Sequence, residues 1–376
     1  MAGHVATMSK RALGRATLAR QHLLERVAGD PERMVLELVG LQAQNPLDPY
    51  LALWSRLDPF DPVALGGLIE RRRLVRIVVM RGTIHLVTAA DAGPLRALTQ
   101  PVMHAEIARH SEFAPQLVGV DVGPVMRDAG AALAVTPMTT TQLRGFIAER
   151  FPSLPAAALA YACRCYLPLV QAPPRGVWGR AAAVKLAELT SWIRDVPGDG
   201  EVTTRTVDDL LLRYLRAFGP ATVADATAWC RLVGLRDVFE RLRPQLLVVR
   251  DERGRELFDL PDAPRPAEDV VAPVRYLPEY DNALLSHADR TRFAPERPLG
   301  RPAGATKGAV LVDGAVQAVW RTERDAATRR SAVIVEHGPL AASARAALEE
   351  EGARVASFWL DPTHVHAVEL HPMEER

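Results

Sequence analysis

The chain has 376 residues, 48% of them hydrophobic, which is enough for several cores. No run of about 18 or more apolar residues appears, so no membrane-spanning helix is expected, and Met1 to Arg20 shows no apolar stretch of a secretory signal. The formal charge of +1 does not advertise a polyanion partner, and the three cysteines, few and odd in number, suit a reducing cytoplasm without a disulfide framework.

In chain order, Ala16 to Val27 reads as a helix, and Asp30-Pro31 opens a second with Asp30 as cap. Asp48-Pro49 and Asp61-Pro62 open a third and a fourth. Leu74 to Met80 and Thr83 to Thr88 then read as paired strands around Arg81-Gly82. Thr139 to Phe151 and Leu154 to Gln171 repeat the helical pattern before a Pro/Gly turn through Trp178-Gly179-Arg180, with no visible hairpin. The clearest unit follows. Val207 to Phe218 is apolar at helical spacing and stops at Gly219-Pro220, Thr222 caps a helix through Cys230, and Gly234 opens a turn into Leu235 to Leu242. Leu246 to Val249, the turn Asp251 to Gly254 and Glu256 to Leu260 complete a hairpin. Helix, helix, turn, helix, hairpin is the order of a winged helix, a DNA-binding element.

Pro261 to Pro273 reads as a linker. Beyond it, Val310 to Val312, Val316 to Trp320, Ala332 to Val335, Val355 to Leu360 and His364 to Leu370 are short apolar runs, and Ala341 to Glu351 is the one clear helix. The expected fold is α+β: tandem winged-helix modules at 1–130, 131–200 and 201–265, then a small, mostly β, barrel-like domain at 266–376.

The candidate chemistry lies in Leu38-Val39-Gly40-Leu41-Gln42-Ala43-Gln44-Asn45-Pro46. Pro46 disfavours helix at Asn45, so a helix should end near Gln44. In a helix Gln42 and Gln44 diverge; if the end is extended both amides project the same way. Amides that cap backbone groups are the simpler use of such residues. Arg71-Arg72-Arg73 fits phosphate contacts or a solvated helix end equally. His364, His366 and His371 lack a Cys ligand or second His pair at metal spacing, so no metal is expected. Cys163 and Cys165 fall in an apolar helix and read as core. Phosphate-loop, dinucleotide, serine-elbow and deaminase motifs are all missing, and no cofactor is expected.

Three stretches in this order are specific together: Gln42-Ala43-Gln44, Met80-Arg81-Gly82-Thr83-Ile84-His85, and Leu277 to Asn282 continuing through Ser286-His287-Ala288-Asp289-Arg290. They resemble the AlkZ/YcaQ-type DNA glycosylases over nearly the whole chain, in the Gln-x-Gln rather than the Gln-x-Asp branch. The resemblance implies tandem winged helices followed by a β-barrel-like domain. It implies Gln42 and Gln44 as catalytic residues. Arg81, Thr83, His85, His287 and Arg290 are expected to face double-stranded DNA. N-alkylated purines, bulky adducts and interstrand crosslinks are the implied substrates. A cytoplasmic monomer is expected. Lysine occurs only at Lys10, Lys185 and Lys307, so an enzyme without an amine nucleophile is expected. Two other readings stay open: a non-catalytic winged-helix regulator, and a nuclease, for which no acidic metal cluster can be assembled from the sequence.

Overall fold

Helix boundaries in the computed structural model, which describes residues 6–196, 204–295 and 308–373, follow local caps. Asp30 accepts from the N–H groups of Glu32 and Arg33 to start Pro31–Glu37, and Asp61 accepts from Val63 to start Pro62–Glu70. Thr139, Thr206 and Thr222 form capping boxes ahead of Thr140–Arg150, Val207–Phe218 and Val223–Cys230. The first helix is Lys10–Arg20 rather than Ala16 to Val27. Ser9 caps it, and the chain leaves it at Gln21 and His22, the latter with φ 52°.

The hairpin Leu74–Val78/Ile84–Thr88 forms as expected, with Ile77 opposite His85. It belongs to a six-stranded antiparallel sheet in the order Leu41–Gln42, Ile84–Thr88, Leu74–Val78, Leu169–Gln171, Lys185–Glu188, Met138–Thr139. The hairpin missing from the 131–200 sequence pattern is therefore Leu169–Gln171 with Lys185–Glu188. The helix there, Ala156–Tyr166, stops short of Gln171. One sheet thus runs across the first two sequence regions.

The 207–259 unit matches the sequence reading nearly residue for residue. Val207–Phe218, Val223–Cys230 and Leu235–Leu242 precede the hairpin Leu247–Asp251/Glu256–Asp259, with Leu247 opposite Asp259. Leu210, Leu211, Tyr214, Leu215 and Phe218 recur at helical spacing and are fully buried. Thr7–Met8 adds a parallel strand to this hairpin.

The C-terminal region is a five-stranded sheet in linear order: Arg275–Pro278, Gly308–Val312, Ala315–Asp325, Arg330–His337, Val365–Pro372. It does not close. The last two strands run parallel and are joined by the helix Ala342–Trp359, as a parallel pair requires. Val355 to Leu360, expected as a strand, is mostly the end of this helix. Leu348, Val355 and Ala356 face one side and pack with Tyr276, Trp320 and Val335. No helix of the described residues is long and apolar enough to cross a membrane.

Two buried ion pairs lock these parts together. Arg20 meets Asp259 at 2.6 Å and Arg56 meets Asp281 at 2.8 Å, all four side chains being inaccessible. Removing Asp281 or Arg56 would cost about 3–5 kcal/mol, because it leaves the other charge buried without its partner, whereas Asp259 also pairs with Arg265 at 2.6 Å.

Candidate active site

The glutamine segment is not a helix end. The preceding helix stops at Glu37, and Val39 (φ 55°) and Gly40 (φ 86°) turn the chain onto the strand Ile84–Thr88. A Cβ at Gly40 would lie 2.7 Å from Val87 Cγ1 and 3.1 Å from the Leu86 carbonyl oxygen, so only glycine allows this approach. Leu41 then pairs with Leu86 and Gln42 with His85, and the Ala43 N–H donates to the Ile84 carbonyl at 2.8 Å. In extended backbone alternate residues share a face. Leu41 and Ala43 are buried in the apolar core. Gln42, at 7% exposure, projects from the opposite side, and Gln44, just past the strand, is exposed.

Gln42 is held from two directions. Arg81 Nη2 donates to Gln42 Oε1, while Arg81 Nη1 donates to the Trp229 carbonyl at 3.2 Å. A guanidinium has no acceptor, so the amide must present its oxygen to Arg81. On the backbone side, Asn282 Oδ1 accepts from the Gln42 N–H at 3.1 Å and Asn282 Nδ2 donates to the Gly40 carbonyl at 2.7 Å. Asn282 thereby acts as one more strand partner for the segment.

Arg81 occupies an unusual backbone position. It and Gly82 have φ 59° and 72°, and the Thr83 N–H closes the turn onto the Met80 carbonyl at 3.1 Å. Asn and Gly ordinarily fill both central positions of such a hairpin turn. An arginine there costs on the order of 1–2 kcal/mol, and such strain concentrates at functional sites. Burial, then the neighbouring Arg231 and Arg290, push the Arg81 pKa down to about 10, so it remains charged at neutral pH.

His85 is buried beside this group. Its Nδ1 lies 3.0 Å from the Thr83 carbonyl oxygen, an acceptor only, so the proton sits on Nδ1. Nε2 then accepts from Arg81 Nη2 at 3.4 Å. Burial and the Arg81 charge push the His85 pKa down to about 3. The imidazole is neutral and is not a base suited to neutral pH.

The structure gathers Gln42, Arg81, His85 and the half-buried Thr83, whose hydroxyl donates to the Met80 carbonyl at 3.1 Å, while the exposed Gln44 lies two residues along the chain from Gln42. Arg290 is exposed and close enough to Arg81 to lower its pKa. His287 departs from expectation. It is 3% exposed, with Nε2 3.0 Å from the Phe218 carbonyl and Nδ1 2.9 Å from Ser286 Oγ, and burial lowers its pKa. His287 is an internal tie, and neither it nor the fully buried His85 offers a ring at the surface. Sequence polarity shows that these residues need partners, not that the partners are inside the protein. Two contributors were not assigned from sequence. Arg231, exposed and with φ 61°, caps Val223–Cys230 and lies near Arg81. Its signal was the turn ahead of Gly234. Asn282 ends the Leu277 to Asn282 stretch, whose sequence signals no contact with the glutamine segment.

Of the remaining candidates Arg71 is exposed and several others are tied elsewhere. Arg72 stacks on Trp192 at 4.2 Å and Arg73 pairs with Glu32 at 3.0 Å. His364 meets Ser331 Oγ at 2.8 Å and His366 donates to the Asp361 carbonyl at 2.8 Å. Among the described residues no group of His, Cys, Asp and Glu could hold a metal ion. Cys163 and Cys165 are buried, and desolvation pushes their thiols up to about 12 and about 11. Lys10 Nζ donates to the Ala294 carbonyl at 2.7 Å, Lys185 is exposed, and Lys307 lies outside the described residues.

The sequence profile of the family described as DNA glycosylase AlkZ-like matches residues 35–358, most of the chain. This chain belongs to the AlkZ-like DNA glycosylase family. An interstrand DNA cross-link repair glycosylase from Streptomyces sahachiroi is 26% identical over 326 residues, covering 81% of this chain and 85% of that protein. The solved structure of the Streptomyces sahachiroi DNA glycosylase AlkZ superposes with a TM-score of 0.70 at 22% identity, over 98% of this chain and 100% of that one. The AlkZ-like fold is shared nearly end to end.

Proposed function

We propose that this chain is a monofunctional DNA glycosylase that hydrolyses the N-glycosidic bond of N-alkylated purines in duplex DNA, bulky adducts and interstrand crosslinks included. The observation that carries this reading is the pair of amides. Gln42 is fixed by a strained arginine and a buried asparagine, and Gln44 stands exposed beside it, with Arg81, Arg231 and Arg290 supplying positive charge for phosphates. A winged-helix regulator has no use for an amide held this way.

An N-alkylated purine already carries positive charge, so the bond to C1′ breaks without strong acid catalysis. Water must then meet the developing oxocarbenium ion, forming the new C–O bond and losing its proton to solvent. A carboxamide does not abstract that proton, but its oxygen accepts from water and orients it. Gln44 fills that role. Gln42, with Oε1 engaged by Arg81, contributes a fixed dipole next to it. The relative's name, which refers to cross-link repair, supports substrates too bulky to swing into a deep pocket, for which an open, groove-tracking surface is suited.

Incubation with a duplex containing N7-methylguanine, followed by alkaline cleavage, should reveal abasic sites. Gln42→Ala with Gln44→Ala should lower single-turnover release by on the order of a hundredfold or more, with unchanged affinity for the duplex. Wild-type release by the double variant would overturn the assignment. Release and binding lost together would favour a role in DNA binding alone.

A further inference from the structure

The strand Leu74–Val78 lies between Ile84–Thr88 and Leu169–Gln171, within the six-stranded sheet. Its side chains are aliphatic except for Arg76, which is 1% exposed. A charge in that position is costly unless it is paired. Among the described residues no carboxylate is paired with it, and burial and the neighbouring Arg175 push its pKa down to about 10. Its Nε and Nη1 have no hydrogen-bond partner among the described residues. Nη2 donates to the Ala43 carbonyl at 2.7 Å.

The surroundings are shaped to admit this side chain. Gly176 has φ 88°, and a Cβ there would lie 2.9 Å from Arg76 Cδ. The Gly176 carbonyl is fixed in turn by the Tyr50 hydroxyl at 2.9 Å, which also accepts from the Trp178 N–H at 3.0 Å. For stability alone, an apolar residue of similar volume would serve as well or better than an unpaired buried charge. Ala43 is the residue between the two glutamines. Its N–H is held by Ile84 and its carbonyl by Arg76. That carbonyl belongs to the planar peptide unit leading into Gln44, so its orientation sets where the Gln44 side chain leaves the backbone.

We propose that Arg76 is a positioning residue that clamps the Ala43–Gln44 peptide and so fixes the placement of Gln44 relative to Gln42; this rests on the reading of the pair as the catalytic amides. The clamp predicts opposite movements of stability and rate. Arg76→Met and Arg76→Gln remove the unpaired charge and cannot reach the Ala43 carbonyl. Both should keep or raise Tm and leave the Kd for N7-methylguanine duplex unchanged. Their single-turnover rate constant for base release should fall by about ten- to a hundredfold, the scale of a misplaced reacting group. Arg76→Lys, which retains a donor, should lie between them and wild type. Should one neutral variant fold poorly, the other decides, measured well below its Tm. A wild-type rate constant in either neutral variant overturns the proposal. So does a rate loss that merely tracks a lowered Tm, since that is what a purely structural role gives. Gln44→Ala, run alongside, separates the two ideas. Wild-type release by Gln44→Ala removes the amide reading itself, whereas an inactive Gln44→Ala beside a fully active Arg76→Met removes only Arg76.

Discussion

An amide makes a poor base, so the partners around Gln42 and Gln44 decide what these residues do. Gln42 is met by a cation and by a second amide, and His85 is kept neutral by burial and by Arg81. None of these groups changes charge near neutral pH, which suits orientation of water rather than proton abstraction. The alternative nucleophile, an amine, has few sources. Lys10 is bound to the Ala294 carbonyl and Lys185 is exposed, while Lys307 lies outside the described residues. Borohydride added during base release should trap no protein–DNA adduct, and damaged duplex should break only after added base or heat. A trapped adduct that vanishes in Lys307→Ala would show that the reaction passes through a Schiff base instead.

Among the elements, the tight turn Met80 to Thr83 and the turn between Val223–Cys230 and Leu235–Leu242 meet where Arg81 reaches the Trp229 carbonyl. Arg231 and Arg290 are exposed and close enough to Arg81 to lower its pKa. On the proposed reading these exposed arginines contact phosphates, and phosphate contacts give affinity that falls steeply with salt. Arg231→Ala should weaken binding to undamaged and damaged duplexes alike, and should reduce the slope of log affinity against log salt by about 1. An unchanged slope would place Arg231 away from the DNA. Arg243, at the far end of Leu235–Leu242, pairs with Glu240 and with Glu256 at 2.7 Å each, tying the helix to its hairpin. Exposed pairs of this kind contribute little to stability.

At the scale of the molecule, two buried neutral histidines link separate parts. His85 sits beneath the glutamine segment, and His287 joins the C-terminal motif to the end of Val207–Phe218. Both are held below the ordinary histidine value by burial, His85 to about 3. The unfolded chain takes up these protons near pH ~6.5, whereas the folded protein resists them. Stability is therefore fully present above that pH and is lost as pH falls toward 3. The loss is about 1.4 kcal/mol per pH unit for each such histidine within its window. Tm should be level between about pH 7 and 8 and should already decline by pH ~5.5, above the ordinary carboxylate range. The decline should be shallower in His85→Gln. A Tm that stays level to pH ~4.5 would mean that the rings are protonated or open to solvent in the folded protein.

The sequence alone determined those features whose causes lie within a few residues. Asp30, Asp61, Thr139, Thr206 and Thr222 set helix starts, because a cap bonds to N–H groups two or three positions on. The hairpin around Arg81-Gly82 and the 207–259 unit were legible because apolar spacing and turn residues agree there. Tertiary structure decided the rest. The glutamine segment is extended because Ile84–Thr88 lies alongside it and because Asn282, 240 positions away, completes its hydrogen bonds. The same kind of distant pairing joins Leu74–Val78 to Leu169–Gln171 and so merges two regions that look separate in sequence. It also keeps the C-terminal sheet open, since Val365–Pro372 adds in parallel to Arg330–His337 rather than returning to Arg275–Pro278. Whether a polar side chain faces water or the interior was equally undecidable from local pattern. His85, His287 and Arg76 are polar in sequence and buried in the fold, and each takes a backbone carbonyl as a partner, of Thr83, Phe218 and Ala43 respectively.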